Sequence, residues 1–289
     1  GSAHAQVSAQ GVYAGRSIDN TGNVTVSAAG GTTQANGEGA YAQARYTYGL
    51  HAGEDVHNAG AVAVDIASGT ADANNGDSAF AMISDAGGIH AGGDVNNTGD
   101  VTVTAAAGSA RADNSTVFAL VGDLRGIYAG GNVENAGSIS VTVTGATVDA
   151  GAVAYSQVEA VGVYAEADAN NTGDMRITTT GGTASSDSDT VFGMSTATGL
   201  EAGANATNAG DIEATATAVT AMTFGDAATA WTLSDSLATS ALSTKRLRGV
   251  AVVPFDVGTA ELERLHAAGV RGVRANIVDL KENKGQLPL

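Results

Sequence analysis

The sequence predicts a mainly β protein, a parallel β-helix solenoid, and three observations carry that expectation. One motif recurs six times at near-constant spacing, one aromatic recurs at the same spacing elsewhere in the unit, and residues 1–244 contain no proline. The unit reads G-[VIL]-x-A, then a turn ending in Asn-[TA]-Gly, then an alternating run. Its copies begin at Gly11, Gly49, Gly88, Gly126, Gly162 and Gly199. The turn asparagines are Asn20, Asn58, Asn97, Asn135, Asn171 and Asn208, separated by 38, 39, 38, 36 and 37 residues. The aromatics are Tyr41, Phe80, Phe118, Tyr155, Phe192 and Trp231, separated by 39, 38, 37, 37 and 39 residues. Two markers keeping one period define six repeat units.

Each element of the unit follows from its residues. After the turn, Val101-Thr102-Val103-Thr104 alternates apolar and polar, the mark of a half-buried strand. A second apolar stretch surrounds the aromatic, as in Ser78-Ala79-Phe80-Ala81-Met82. Helices are not expected, because β-branched residues and glycines break any 3.6-residue stripe. In a stacked fold the Asn series forms a ladder of hydrogen-bonded amides. Gly22, Gly60, Gly99, Gly137, Gly173 and Gly210 are expected to take positive φ where the chain turns a corner. A narrow interior suits the Ala-, Val- and Gly-rich composition, with one aromatic per unit stacking on its counterparts. Each unit of about 38 residues is expected to supply two coils, each rising about 4.8 Å. The alternative is a six-bladed propeller with one unit per blade, whose sheet-on-sheet packing calls for bulkier side chains.

Charge divides the chain in two. It has 13 Lys+Arg and 30 Asp+Glu, a net charge of −17. Residues 245–289 hold 8 of the bases and 5 of the acids, or +3, which leaves 5 bases, 25 acids and −20 for residues 1–244. Both prolines, Pro254 and Pro288, also lie in the C-terminal part. We therefore read 1–244 as an acidic repeat domain and 245–289 as a basic β-α-β cap or appendage. In the latter, Leu247–Val253 and Val270–Val278 read as strands and Thr259-Ala260-Glu261-Leu262 opens a helix. An acidic body excludes nucleic acid, which needs clustered Lys and Arg. No apolar run approaches the length of a transmembrane helix. The chain has no cysteine, so redox chemistry says nothing about compartment.

Residues able to carry chemistry were weighed in turn. Of His4, His51, His57, His90 and His266, His51 and His90 share a unit position. With two coils per unit they would sit roughly 10 Å apart, too far for one metal ion. Asp94, Asp100, Asp174 and Asp211 near the turns raise calcium, yet their spacing matches neither an EF-hand loop nor the GGxGxD nonapeptide. The expectation is no cofactor and no metal, with calcium as the one cation considered. Thr25, Thr102 and Thr104 suggest a flat Thr face, which Ala61-Val62-Ala63 and Ser138-Ile139-Ser140 interrupt. No catalytic residue is assigned. Residues 1–244 offer Arg16, Arg45, Arg111, Arg125 and Arg176 as bases, and only Arg111 and Arg125 share a unit.

The strings Asp19-Asn20-Thr21-Gly22-Asn23-Val24-Thr25-Val26 and Glu134-Asn135-Ala136-Gly137-Ser138-Ile139-Ser140-Val141 resemble the passengers of bacterial autotransporters and filamentous haemagglutinin-like adhesins. The resemblance covers about residues 5–225. It implies a secreted or surface-displayed stalk, attached to the outer membrane in the full-length protein. Such a stalk acts in adhesion or aggregation, with a host-surface protein, a glycan or a copy of itself as partner. Residues 245–289 resemble a fragment of an amidohydrolase-superfamily TIM barrel, through RGVAVV and ELERLHAAGVRGVRANIV. That family's HxH metal motif is missing, so no catalytic role passes to Asn276 or Asp279. The C-terminal segment is expected to cap the last coil or to mediate homo-oligomers. The rival function is a β-helical enzyme acting on polysaccharides.

Overall fold

The computed structural model describes residues 1–74, 78–187, 190–223, 231–233, 249–253 and 270–275, with side chains through residue 220. Every element in it is a strand. Four parallel sheets stack along one axis, and each strand pairs with its equivalent in the next unit. The third unit shows the pattern: a long strand Ser78–Ala91, a corner strand Val95–Asn97, a third strand Val101–Ala106 and a fourth strand Ala110–Ala112. Phe80 pairs with Tyr41 and Phe118, Asn97 with Asn58 and Asn135, and Thr104 with Asp65 and Thr142. The fold is a β-solenoid of about six turns, and the propeller alternative falls with its blades.

The number of coils per unit corrects the expectation. One unit makes one coil, not two, because all four strands pair only with strands a whole unit away. The long strand accounts for this: at 13 or 14 residues it spans one side of the cross-section by itself. The three shorter strands together return along the other sides.

The interior changes in width along the long strand. Its second half faces the corner and third strands across a thick core that includes Leu50, Val64, Ile83, Ile89, Val103, Ile127, Ile139 and Ile177. Each such side chain contributes about 1.5–3 kcal/mol on burial. Its first half faces the fourth strand across a thin core of alanines, among them Ala40, Ala42, Ala71, Ala73, Ala79, Ala81, Ala110 and Ala112. Two sheets meeting through methyl groups leave no room for a ring. The four outer surfaces are called below the long, corner, threonine and alanine faces, after these strands in order.

In the C-terminal part, strands Gly249–Val253 and Val270–Ala275 pair in parallel, as a β-α-β reading requires. The expected helix lies outside the described residues, as do His266, Asn276 and Asp279. The backbone of Gly249–Val253 lies beside the last threonine-face strand, Ile212–Thr217.

Candidate functional site

The corner ladder forms as expected. Asn58, Asn97, Asn135 and Asn171 are buried. Each amide nitrogen donates twice, to the carbonyl of the glycine two residues on and to Oδ1 of the next asparagine. For Asn97 both distances are 2.7 Å, to Gly99 and Asn135. Asn20 and Asn208 continue the ladder at its half-buried ends. The side chain thereby turns the backbone and satisfies itself.

The glycines of this turn are required for another reason than the expected one. Among the described glycines, positive φ falls at Gly37 and Gly69 and not at the six turn glycines. A Cβ on Gly99 would lie 2.1 Å from the carbonyl oxygen of Gly60, and one on Gly137 2.0 Å from that of Gly99. Coil stacking, and not backbone dihedral, excludes a side chain there.

The acids beside the turn cap the coil above. Asp94 Oδ1 accepts from the backbone N–H of Asn132 at 2.7 Å and from its amide at 3.1 Å. Asp100 accepts from the Ser138 N–H at 3.1 Å, and Asp174 from the Asp211 N–H at 3.0 Å. Asp55, Asn132 and Asp168 do the same along the column of Asp94. Of the acids weighed for calcium, Asp94, Asp100 and Asp174 thus each have one carboxylate oxygen engaged with backbone, and Asp211 enters as the backbone donor to Asp174. Among the described residues no three His, Asp or Glu side chains converge as a metal site would need.

The aromatic series stacks, but on the outside. Tyr41, Phe80, Phe118, Tyr155 and Phe192 alternate with buried small residues (Ala, Val, Ser or Gly) and stand half-buried on the long face. Their ring centroids lie 4.7–4.9 Å apart with planes within 9°. His4 extends the stack below Tyr41 at 4.4 Å. The Trp231 backbone pairs with Phe192, which keeps the register; its side chain is outside the described set. Since each ring covers its neighbour's face, only edges meet solvent. Beside them Leu120 and Met194 help line an apolar groove with Phe118, Tyr155 and Phe192.

A second ring column runs along the same face, and here the sequence expectation fails. His51 and His90 are one coil apart, with centroids at 4.8 Å and not 10 Å. Tyr13 sits below His51, and Tyr128 and Tyr164 continue above His90. Tyr48 leans on both histidines at 5.0 Å. Arg125 lies over Tyr128 and Tyr164, each at 5.2 Å. Burial, with His51 and Arg125 nearby, pushes the His90 pKa down to about 4, against a weaker upward pull from Asp85. Burial also lowers that of His51. The Tyr128 hydroxyl donates to Glu166 at 2.6 Å, and this bond with burial raises the phenol to about 12. His57 stands apart, exposed on the corner face.

Between the two columns the long strand bulges. Tyr46, Asp85 and Asp123 stack in three successive coils with φ of 53°, 51° and 52°. Aspartate tolerates this region; tyrosine rarely adopts it. Arg45 pairs with Asp85 at 3.5 Å, and Arg125 with Asp123 at 3.0 Å. The next coil lacks the extra residue, and the register shifts between Val121 and Leu124. The signal was present in the sequence. The aromatic precedes its Gly by eight residues at Tyr41, Phe80 and Phe118, and by seven at Tyr155 and Phe192.

The remaining bases do not gather. Arg111 projects from the alanine face toward Asp113 and Asp149, and Arg176 from the threonine face toward Glu213. Arg111 and Arg125, adjacent in one unit, therefore stand on different faces. Thr102 and Thr104 are exposed on the threonine face, where Thr142 and Thr144 follow in the next coil. Thr25 is exposed on that face too, two coils below Thr102. No protein-family model, curated protein or solved structure matches this chain.

Proposed function

We propose that this chain is a structural and adhesive β-solenoid displayed outside a bacterial cell, which associates with a surface partner or with its own copies. The observation that carries this reading is how the chemistry is arranged. Polar, acidic and aromatic side chains recur once per coil as columns along the axis, and the repeated turn acids are occupied in capping backbone N–H groups. A column offers the same contact again at each coil, so weak contacts gain strength by number. The resemblance of the turns to autotransporter and haemagglutinin-like repeats supports the exterior location.

The charge supplies a test. A body at −20 repels its like, and salt relieves that repulsion. Self-association or binding to an acidic cell surface is expected to strengthen several-fold as salt is raised from low to physiological strength. Light scattering and whole-cell binding would follow it. Turnover of an acidic polysaccharide, with no association at any salt, would replace this reading with the enzymatic one.

A further inference from the structure

We infer that the threonine face binds ice through its last three coils. The inference does not rest on the adhesive reading; it adds an activity to the same body. Three consecutive strands of this face, Ile139–Thr144, Met175–Thr180 and Ile212–Thr217, each end in Thr-x-Thr. Thr142, Thr178 and Thr215 pair in register, and so do Thr144, Thr180 and Thr217. The result is two straight columns of threonine side by side, and Thr104 lengthens the first by one coil. The interruptions legible in the sequence fall in the neighbouring column, at Ala63 and Ser140, and leave this array whole. Lower on the same face Ser27 and Asp65 stand in the first column, and Ala29, Ala67 and Ala106 in the second.

The spacing points to a crystal lattice as the ligand. Equivalent side chains lie about 4.8 Å apart along the axis and about 6.6 Å apart along a strand. Water oxygens on the faces of ice repeat in two directions at spacings close to these, so each hydroxyl can stand where a lattice oxygen would. A flexible ligand would not require such regularity in both directions.

The array is also held still. Threonine is branched at Cβ and keeps few χ1 rotamers, so little order is lost on meeting a solid surface. Val141, Val143 and Ile177 anchor the strands in the thick core. Thr179, between the two columns, turns inward and its hydroxyl bonds to that of Ser195 at 2.9 Å. Among the described residues, no hydrogen bond to protein engages the six outward hydroxyls. The Gly249–Val253 backbone beside the last strand leaves Thr217 exposed. Neither column carries a charge in these coils, and in the flanking column Arg176 and Glu213 neutralise each other at 2.6 Å. One hydroxyl would hold ice weakly, but hydroxyls fixed on one rigid body act together.

The test freezes a dilute solution of the full chain slowly onto a cold finger and compares protein in the ice with protein left in the liquid. The unaltered chain is expected in the ice, and crystals grown in its presence are expected to be faceted. Thr180→Lys, in the middle of the array, is expected to lower incorporation by about tenfold or more. Thr25→Lys makes the same change of charge on the same face in the first coil and is expected to leave incorporation unchanged. Circular dichroism confirms the fold, and Thr144→Lys takes the place of Thr180→Lys should that variant not fold. Exclusion of the unaltered chain from ice overturns the inference. Incorporation that survives the array variant, or falls equally in Thr25→Lys, overturns it as well. Binding to crystalline cellulose or chitin that Thr180→Lys abolishes, without incorporation into ice, assigns the array to carbohydrate and overturns it too. The salt-dependent association that tests the adhesive reading is measured separately, so either can fail alone.

Discussion

The corner ladder and the ring columns of the long face are built on the same coil and the same spacing, yet they tolerate variation differently. At the corner the residue is Asn in all six units. In the second ring column the equivalent positions are Tyr13, His51, His90, Tyr128, Tyr164 and Glu201. The corner amide is buried and must both donate and accept, to the coils on either side and to its own turn. Only Asn has that shape with both functions. The outward rings are half-buried and hold each other by contact, so any flat side chain fits, and at the solvated end even a carboxylate. A repeat is thus strict where an unpaired polar group would be sealed from water, and permissive where water stands by.

The sharpest way to break the contrast is Asn97→Asp. It keeps the volume but replaces the donor facing the Gly99 carbonyl and Asn135 Oδ1 with an acceptor, in a site of 0% exposure. Chemical denaturation is expected to show a loss of about 3–5 kcal/mol. The same change at Asn20, half-buried at the end of the ladder, should cost less than half as much.

Next in size is a matched pair of glycine changes. Gly99→Ala places a Cβ against the Gly60 carbonyl and is expected to destabilise by about 2–3 kcal/mol, whereas Gly22→Ala, with nothing within 4 Å, should cost under about 1 kcal/mol. Equal losses at both would restore a dihedral explanation and sink the stacking one.

The long face responds to pH. His90 titrates near 4 in the folded chain and near 6.5 when unfolded. Between those values the unfolded chain binds more protons. Stability is therefore full above about pH 6.5, falls as pH drops toward 4, and is level for this group below that. The loss is expected to be on the order of 2 kcal/mol, allowing for partial exposure, and His90→Phe should remove most of it. Melting curves of both proteins at pH 7 and pH 4.5 would show it. An unchanged difference between the two pH values would mean that His90 does not sense protons.

The smallest effect belongs to the first ring column. Phe118→Leu keeps an apolar side chain but loses two stacked contacts, to Phe80 and Tyr155, and should cost under about 1.5 kcal/mol by thermal melting. A cost matching that of Asn97→Asp would erase the distinction between strict and permissive columns.

Much of this was legible in the residues. The six-unit period, the Asn ladder and the alternation of Val101-Thr102-Val103-Thr104 follow from spacing and from the two-residue period of a strand, which are local properties. Asp94, Asp100 and Asp174 stood out as acids near the turns, but their capping role was not legible, because their partner is a backbone N–H a whole coil away and backbone has no letter in a sequence. The extra residue at Tyr46, Asp85 and Asp123 was visible in the spacing, but its backbone conformation was not.

The sequence by itself determined that the chain repeats, that it is built from strands, and which residues recur in register. Only the tertiary structure decided that one unit makes one coil, that the aromatic rings face outward, and that the turn glycines answer to a neighbouring carbonyl. The reason is common to all three. Alternation assigns side chains to two surfaces without saying which is inside, and Phe80 between Ala79 and Ala81 is apolar on both. The choice was made by the opposing sheet, where Ala71, Ala73, Ala110 and Ala112 close the interior to within methyl contact and leave rings only the outside.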